Sequence, residues 1–420
     1  MLALSFPLLN KLGKQTATDG RVKLNNPIRL LAICNYPSDT RPAFQVFVRA
    51  ILLELASLGV NVTVIAPEPL WNLVKPSTKF RLAPTFEKRD GLAIHRPRYV
   101  PYSNISLPFG IRTSRWGVNA YFNAVLREVE KSKESYDICL GYFLSPHGRA
   151  AAQIGGRLGI PAVVSLGESS FDRYKSVYNR REISQLLEQF SGVITNSDLI
   201  KDHCVQQYGL AENKTRVFPN GVDEQHFSPR DQQLVRRHLG LPLDRPIVIS
   251  VGQFIERKGP LRILEAIKSR PEIGAVFLGY GPQVPTGSQV LYQGAVQHAD
   301  VPMWLSAADI FVLPTLDEGC SNAILEALFC GLPIVSSDLP FNYSILNKDV
   351  AVLVDPLDID ALGKAVFLLV DDPGRMKGMK QAALEHSRSF RLTDRARRIL
   401  TFLHQCIGEF SPEHTSVFSS

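Results

Sequence analysis

The stretch IFVLPTLDEGCSNAILEALFCGLPIVSSD, residues 310–338 of 420, constrains this chain more than any other. An apolar run stops at Pro314, helix-forming residues fill 323–330, Gly331 offers a C-terminal cap, and Pro333 opens a second β-branched run. Strand, loop, helix, strand in that order predicts a βαβ unit of a parallel sheet, and such crossovers are nearly always right-handed. The loop 315–321 and the start of the helix then fall at the carboxyl end of the strand, where open α/β sheets bind ligands.

Ser321 and Asn322 are good N-caps, so the helix is predicted to begin there, with unpaired amides that attract phosphate. Two carboxylates bracket that end, Glu318 in the loop and Glu326 one turn into the helix. Eight residues of helix turn through roughly 80° and rise about 12 Å, so the two face broadly one side at about the separation of sugar and ribose in a nucleotide sugar. A carboxylate only accepts hydrogen bonds; it suits vicinal hydroxyls and repels a diphosphate, which gives the order sugar, phosphate, ribose along one groove. Glu is also a frequent helix-surface residue, so the pair alone fits a plain solvated face.

The surrounding run narrows the choice. E-G-C-S-N-A-I-L-E-A followed by C-G-L-P-I-V resembles the Glu-x7-Glu motif of the retaining glycosyltransferases of family four, which have the GT-B fold, among them bacterial polysaccharide and lipopolysaccharide enzymes. The resemblance implies an α/β chain of two facing Rossmann-like domains, each a doubly wound parallel sheet, with a cleft between them. It implies that Glu318 is catalytic and that Gly319, Cys320, Ser321, Asn322 and Glu326 hold the donor.

Length agrees, since 420 residues suit two domains of about 150–200 each. Six cysteines with no C-x-x-C pair, mostly inside apolar runs, read as buried thiols of a reducing compartment, so a cytoplasmic protein is expected. Charge is uneven: residues 1–210 hold 26 Lys and Arg against 16 Asp and Glu. That excess fits an anionic partner, a contact with the inner face of the cytoplasmic membrane, or an ordinary solvated basic face. No apolar run reaches the roughly 18 residues of a membrane span, and the start, MLALSFPLLNKLGK, lacks the marks of a signal peptide.

Residues 1–26 read as a tail and 27–218 as an acceptor-binding first domain. Its opening strand RLLAICNYP, a helix and VNVTVIAP form another βαβ unit, but residues 35–45 contain no glycine, which disfavours a dinucleotide enzyme. Residues 70–116 interrupt the alternation with prolines, aromatics and nine basic residues, from Lys75 to Arg115, and read as an irregular basic insertion. Such a loop suits a lipid headgroup surface, an anionic glycan or water better than nucleic acid. Further on, the turn after PAVVSL carries Glu168 where the family commonly has a histidine, and Ser145-Pro146-His147-Gly148 ends another strand. Glu168 and His147 are the candidates for contact with acceptor or sugar.

VFPNGVDEQHF, residues 217–227, resembles the family's inter-domain segment and opens a donor-binding domain spanning 219–390, after which a last helix within 391–420 should cross back to the first domain. PIVISVGQF is followed by Arg257-Lys258-Gly259, a cation pair suited to a diphosphate leaving group. Where the family has an arginine after the first glycine this chain has Gln253, which passes that charge to Arg257, while Lys258 is assigned to catalysis. The family's G-x-V at the nucleobase is Gly294-Ala295-Val296, so Val296 joins the donor set.

The implied activity is metal-independent transfer of a hexose, with retention, from a nucleoside-diphosphate sugar (UDP or GDP) to a glycan or lipid-linked acceptor. No metal site and no cofactor are expected, and no nucleic acid. An epimerase of the same fold, or a non-catalytic sugar-nucleotide-binding subunit of a glycan-assembly complex, would share the donor residues.

Overall fold

The structure, a computed structural model, describes residues 27–39, 45–70, 82–101, 113–168 and 171–411. The tail 1–26, part of the first strand-to-helix turn, the basic residues Lys75, Lys79, Arg81 and Arg112, and the end of the turn after Glu168 lie outside them.

The first domain runs β1 (Arg29–Ile33), α1 (Val46–Ser57), β2 (Asn61–Ile65), β3 (Glu68–Pro69), β4 (Phe86–Arg89), β5 (Leu92–His95), β6 (Arg98–Tyr99) and α2 (Thr113–Ser132). It continues with β7 (Ile138–Tyr142), α3 (Arg149–Leu158), β8 (Ala162–Leu166), α4 (Arg180–Glu188), β9 (Gly192–Thr195), α5 (Asp198–Tyr208) and β10 (Thr215–Val217). Its main sheet has the order β10-β9-β8-β7-β1-β2-β5-β4. All of it is parallel except the β4–β5 pair. Helices cover both faces, which is why β7 and β8 are buried along their whole length and read as continuous apolar runs.

The second domain runs α6 (Gln232–Leu239), β11 (Ile247–Val251), α7 (Pro260–Ile267), β12 (Gly274–Leu278), β13 (Val290–Gly294), α8 (Val301–Ala307) and β14 (Ile310–Leu313). It closes with α9 (Asn322–Phe329), β15 (Ile334–Ser337), β16 (Ala351–Val354), α10 (Ile359–Asp371) and α11 (Pro373–Ser387). The sheet is parallel, in the order β13-β12-β11-β14-β15-β16. Strand order therefore reverses at β1/β7 in the first sheet and at β11/β14 in the second, and these switch points open the crevices that hold ligands in doubly wound folds. The two-domain α/β architecture is the one expected from the sequence.

The chain passes between the domains twice, side by side. Val222 N–H donates to Phe390 O and Leu392 N–H to Val222 O, both at 2.9 Å. Helix α12 (Leu392–Glu409) then lies on the first domain, with Leu392, Ala396, Ile399, Phe402 and Leu403 buried in a cluster that includes Ile51, Leu52 and Ile194. Gly192 leaves the room for this, since a Cβ there would stand 2.6 Å from the Phe402 ring.

One expectation is corrected. The part of 70–116 that is described is not irregular: β5 adds to the sheet beside β2, and β4 folds back on it through Asp90 and Gly91, at φ 54° and 81°. Asp-Gly between two short runs is a hairpin signal, outweighed in the sequence by the prolines around it. Its arginines are also committed. Arg96 is 2% exposed, donates to Pro37 O and pairs with Glu87 at 2.8 Å. Arg98 pairs with Glu68, Arg89 with Asp39, and Arg115 with Glu182.

Candidate active site

The loops after β11 and β14 meet at the second domain's switch point. Leu316 N–H donates to Arg257 O at 2.9 Å, and the Arg257 guanidinium donates to Asp317 O, so the two loops are stitched backbone to backbone and side chain to backbone. That stitching sets the Lys258 ammonium in an ion pair with Glu318, with Arg257 Nη1 3.7 Å from the same carboxylate oxygen. Burial, reinforced by the Arg257 charge, pushes Lys258 down to about 7, against a smaller opposing pull from Asp317. A lysine poised near neutrality beside a carboxylate can respond strongly to any further anion placed against it.

Helix α9 starts at Ser321, which has extended backbone angles (φ −76°, ψ 110°) but does not cap the helix with its side chain. The first-turn amides at Asn322 therefore lack a side-chain acceptor and face the loop that carries Glu318. Gly319 brings that loop against the first domain: a Cβ there would lie 2.7 Å from Gly167 O and 3.2 Å from Asn196 Oδ1. Cys320 is buried, its thiol raised to about 11 by desolvation, and its carbonyl accepts from Asn220 Nδ2 at 3.2 Å. Gly319 and Cys320 thus form the floor of the cleft, where only backbone fits.

One turn into α9, Glu326 accepts from His298 Nε2 at 3.2 Å. The hydrogen bond raises His298 above the ordinary histidine value, against burial. Its ring stacks on His226 at 5.8 Å between centroids and packs edge-on against Phe227. His298 escaped the sequence reading, although its position two residues beyond Val296 was a usable signal. Val296 is half-buried against the second domain's core. The Gly279-Tyr280-Gly281 turn beside it is built on close approach: Gly279 N–H donates to Gly294 O, and Tyr280 O accepts from Phe254 N–H. Tyr280 itself is 68% exposed.

The first-domain candidates are placed differently. Glu168 is 3% exposed and accepts from Leu144 N–H at 2.6 Å, Gly167 N–H at 2.9 Å and the Tyr174 hydroxyl at 2.5 Å. Burial raises its pKa and those donors resist the rise. Its Oε1 ties the end of β8 to Leu144 in the turn after β7 and to Tyr174, while Oε2 accepts from the neighbouring Gly167. His147 is 5% exposed, packed edge-on to Tyr121 at 5.4 Å, and held neutral because desolvation takes it down to about 4. The structure thus brings Glu318, Lys258, Arg257, Gly319, Cys320, Ser321 and Asn322 together, with Glu326 a turn away, and leaves Glu168 and His147 in internal roles below the cleft surface.

Residues 231–386 match the family model described as glycosyl transferases group 1, and residues 45–226 match glycosyltransferase family 4. A glycosyltransferase assigned to teichuronic acid biosynthesis in Bacillus subtilis is 29% identical over 344 residues, 79% of this chain and 86% of that protein. The Escherichia coli UDP-Gal:alpha-D-GlcNAc-diphosphoundecaprenol alpha-1,3-galactosyltransferase is 30% identical over 271 residues, 57% of this chain and 68% of that one. Among solved structures, the sucrose-phosphate synthase of Thermosynechococcus elongatus superposes with a TM-score of 0.73 at 19% identity, over 90% of this chain and 99% of the other. Anabaena HepE in complex with UDP gives 0.69 at 17%, over 90% and 100%. At such identities the structural likeness establishes the shared fold alone.

Proposed function

Since the chain belongs to the glycosyltransferases of GT-B fold, with a family-4 first half and a group-1 second half, we propose that it moves a hexose from a UDP- or GDP-sugar to a glycan or lipid-linked acceptor, with retention of anomeric configuration. The observation that carries the reading is the Lys258–Glu318–Arg257 cluster at the β11/β14 switch point, beside the uncapped start of α9. In this reading the donor's diphosphate lies against the α9 amides, Lys258 and Arg257. Its sugar lies at Glu318, and its ribose takes over the Glu326 carboxylate from His298. Departure of the nucleoside diphosphate leaves negative charge on oxygen, which the two cations and the helix dipole offset without a metal ion. Glu318 faces the sugar, where it accepts from hydroxyls and stabilises the positive charge that develops as the C1–O bond breaks.

Retention is supported by the resemblance to the Glu-x7-Glu enzymes. A polysaccharide or lipid-diphosphate acceptor is supported by the two relatives, one assigned to teichuronic acid biosynthesis and one acting on a diphosphoundecaprenol-linked sugar. The excess of basic residues in the first half supports contact with an anionic membrane that carries such an acceptor. The internal engagement of Glu168 favours one second reading, a sugar-nucleotide-binding subunit without turnover.

The test is a thermal-shift screen of UDP- and GDP-sugars followed by turnover of the best donor with lipid-linked acceptors. A donor present at 100 times its Kd should stabilise the protein by about 2.7 kcal/mol. Product with inverted configuration would overturn retention, a sugar changed in the absence of acceptor would mark an epimerase, and binding without turnover on any acceptor would leave the subunit reading.

A further inference from the structure

Arg395, one turn into α12, is 4% exposed, and among the described residues its Nε–H has no hydrogen-bond acceptor. Among the described residues no carboxylate pairs with it; the ionisable groups its charge meets are Tyr142, Cys320 and the like-charged Arg398. The other interior positions of this helix, Leu392, Ala396, Ile399 and Phe402, are apolar and fill the first domain's core, so a cation here is out of keeping with its own surface. A guanidinium taken out of water with no partner is strongly disfavoured unless something else supplies the opposite charge.

Its location indicates what that is. Tyr142 ends β7 at the first domain's switch point, and Cys320 lies in the loop between Glu318 and α9. Gly221 packs on the start of α12, where a Cβ would lie 2.8 Å from Leu392 Cα, and the neighbouring Asn220 donates to Cys320 O at 3.2 Å, while Tyr142 shares a buried cluster with Leu392 and Ala396, so the first turn of α12 stands between the end of β7 and the donor loop. A second such group flanks the same backbone: Asn196 Oδ1 is buried with no donor among the described residues, 3.2 Å from where a Cβ on Gly319 would be.

We infer that Arg395 is the buried counter-charge to the donor's diphosphate, a positioning residue that acts through the loop 318–322 and touches no substrate. No carboxylate among the described residues balances its charge, and two phosphates on the cleft side of the loop would do so, their field reaching it through low-dielectric protein so that both charges gain. Relief of that imbalance adds to donor affinity and favours the arrangement in which loop, α12 and first domain stay together. The inference rests on the donor reading above.

The test uses the full chain with Arg395→Met, which keeps the volume and removes the charge, and Arg395→Lys, which keeps a charge. UDP, GDP and the nucleosides uridine and guanosine are titrated by calorimetry, and the unfolding midpoint of the ligand-free protein is recorded. Expected for Arg395→Met is a ligand-free midpoint equal to or above wild type, a nucleoside-diphosphate affinity at least tenfold weaker, and an unchanged nucleoside affinity. Arg395→Lys should lose less than threefold. A fall of diphosphate and nucleoside affinity by the same factor, with a lowered midpoint, would make Arg395 a structural residue and overturn the inference. Unchanged diphosphate affinity would overturn it as well. A wild-type protein that binds neither UDP nor GDP removes the donor reading itself, which separates the two failures.

Discussion

Lys258 shows how one side chain can be tuned by its surroundings toward a charge that has yet to arrive. Burial and Arg257 lower it to about 7 from an ordinary 10.5, while a diphosphate placed against it, as proposed, would favour the ammonium. Binding therefore takes up a proton above about pH 7, where the lysine is neutral before the anion arrives. Nucleoside-diphosphate affinity should weaken as pH rises above 7, by up to tenfold per pH unit. Lys258→Ala should flatten that slope and cost about 1.5–3 kcal/mol for a lost charge-assisted contact. A pH profile that survives the substitution would point to another group. Glu318→Gln should cut kcat by about 10²-fold or more with an unchanged unfolding midpoint, because it keeps the shape and loses the charge; activity within threefold of wild type would remove Glu318 from the chemistry. Both residues were legible because the loop–helix junction and the cation pair are local patterns. His298 and Arg395 were not, since each matters through a partner brought to it by packing, Glu326 from 28 positions away and Cys320 from the other side of the cleft.

At the scale of elements, the second domain's donor edge is held in shape by glycines in conformations that few other residues adopt. Gly279 sits at φ +156°, and a Cβ on it would collide with Gly252 O, the carbonyl that begins the loop leading to Lys258. Gly279→Ala should destabilise by about 1–3 kcal/mol through overpacking, or roughly 2–4 °C in unfolding midpoint for each kcal/mol in a domain of this size. It should also weaken donor binding by displacing the Lys258 loop. Gly378 is the contrast: it lies inside α11 with no atom within 4 Å of the Cβ it lacks, so Gly378→Ala should stabilise by up to about 1 kcal/mol. Thermal unfolding of the two variants side by side checks the argument, and equal effects would refute it. The βα alternation itself was readable from periodicity, as in the opening unit that the structure forms as β1, α1 and β2. The β4–β5 hairpin was not, because four-residue strands on a sheet edge bury too few side chains to show a clear alternation, and β4 alternates exposed with half-buried positions only.

Taken whole, the molecule is electrically lopsided, and the structure shows which part of that imbalance is free to act. The first half carries 26 basic against 16 acidic residues, yet Arg89, Arg96, Arg98 and Arg115 are tied to Asp39, Glu87, Glu68 and Glu182. Ion pairing of that kind could not be read from sequence, where the stretch looked uniformly basic. Exposed positions such as Lys88, Arg127, Lys131 and Lys133 keep their charge available to a partner. Among the described residues no helix is long and apolar enough to cross a membrane. If the proposed membrane contact is electrostatic, each basic residue near an anionic surface contributes about 1 kcal/mol. The attraction is screened beyond a Debye length of about 8 Å at physiological salt. The protein should then co-sediment with phosphatidylserine-containing vesicles, release as salt rises, and ignore neutral vesicles. Changing Lys88, Arg127, Lys131 and Lys133 to serine should abolish retention with little change in unfolding midpoint, because none of the four is buried. Arg96→Ser should do the reverse, lowering the midpoint by leaving Glu87 without its buried partner while retention on vesicles persists. Equal retention on neutral vesicles, or retention insensitive to the fourfold change, would transfer the acceptor from a membrane surface to solution and leave the basic face as a solvated one.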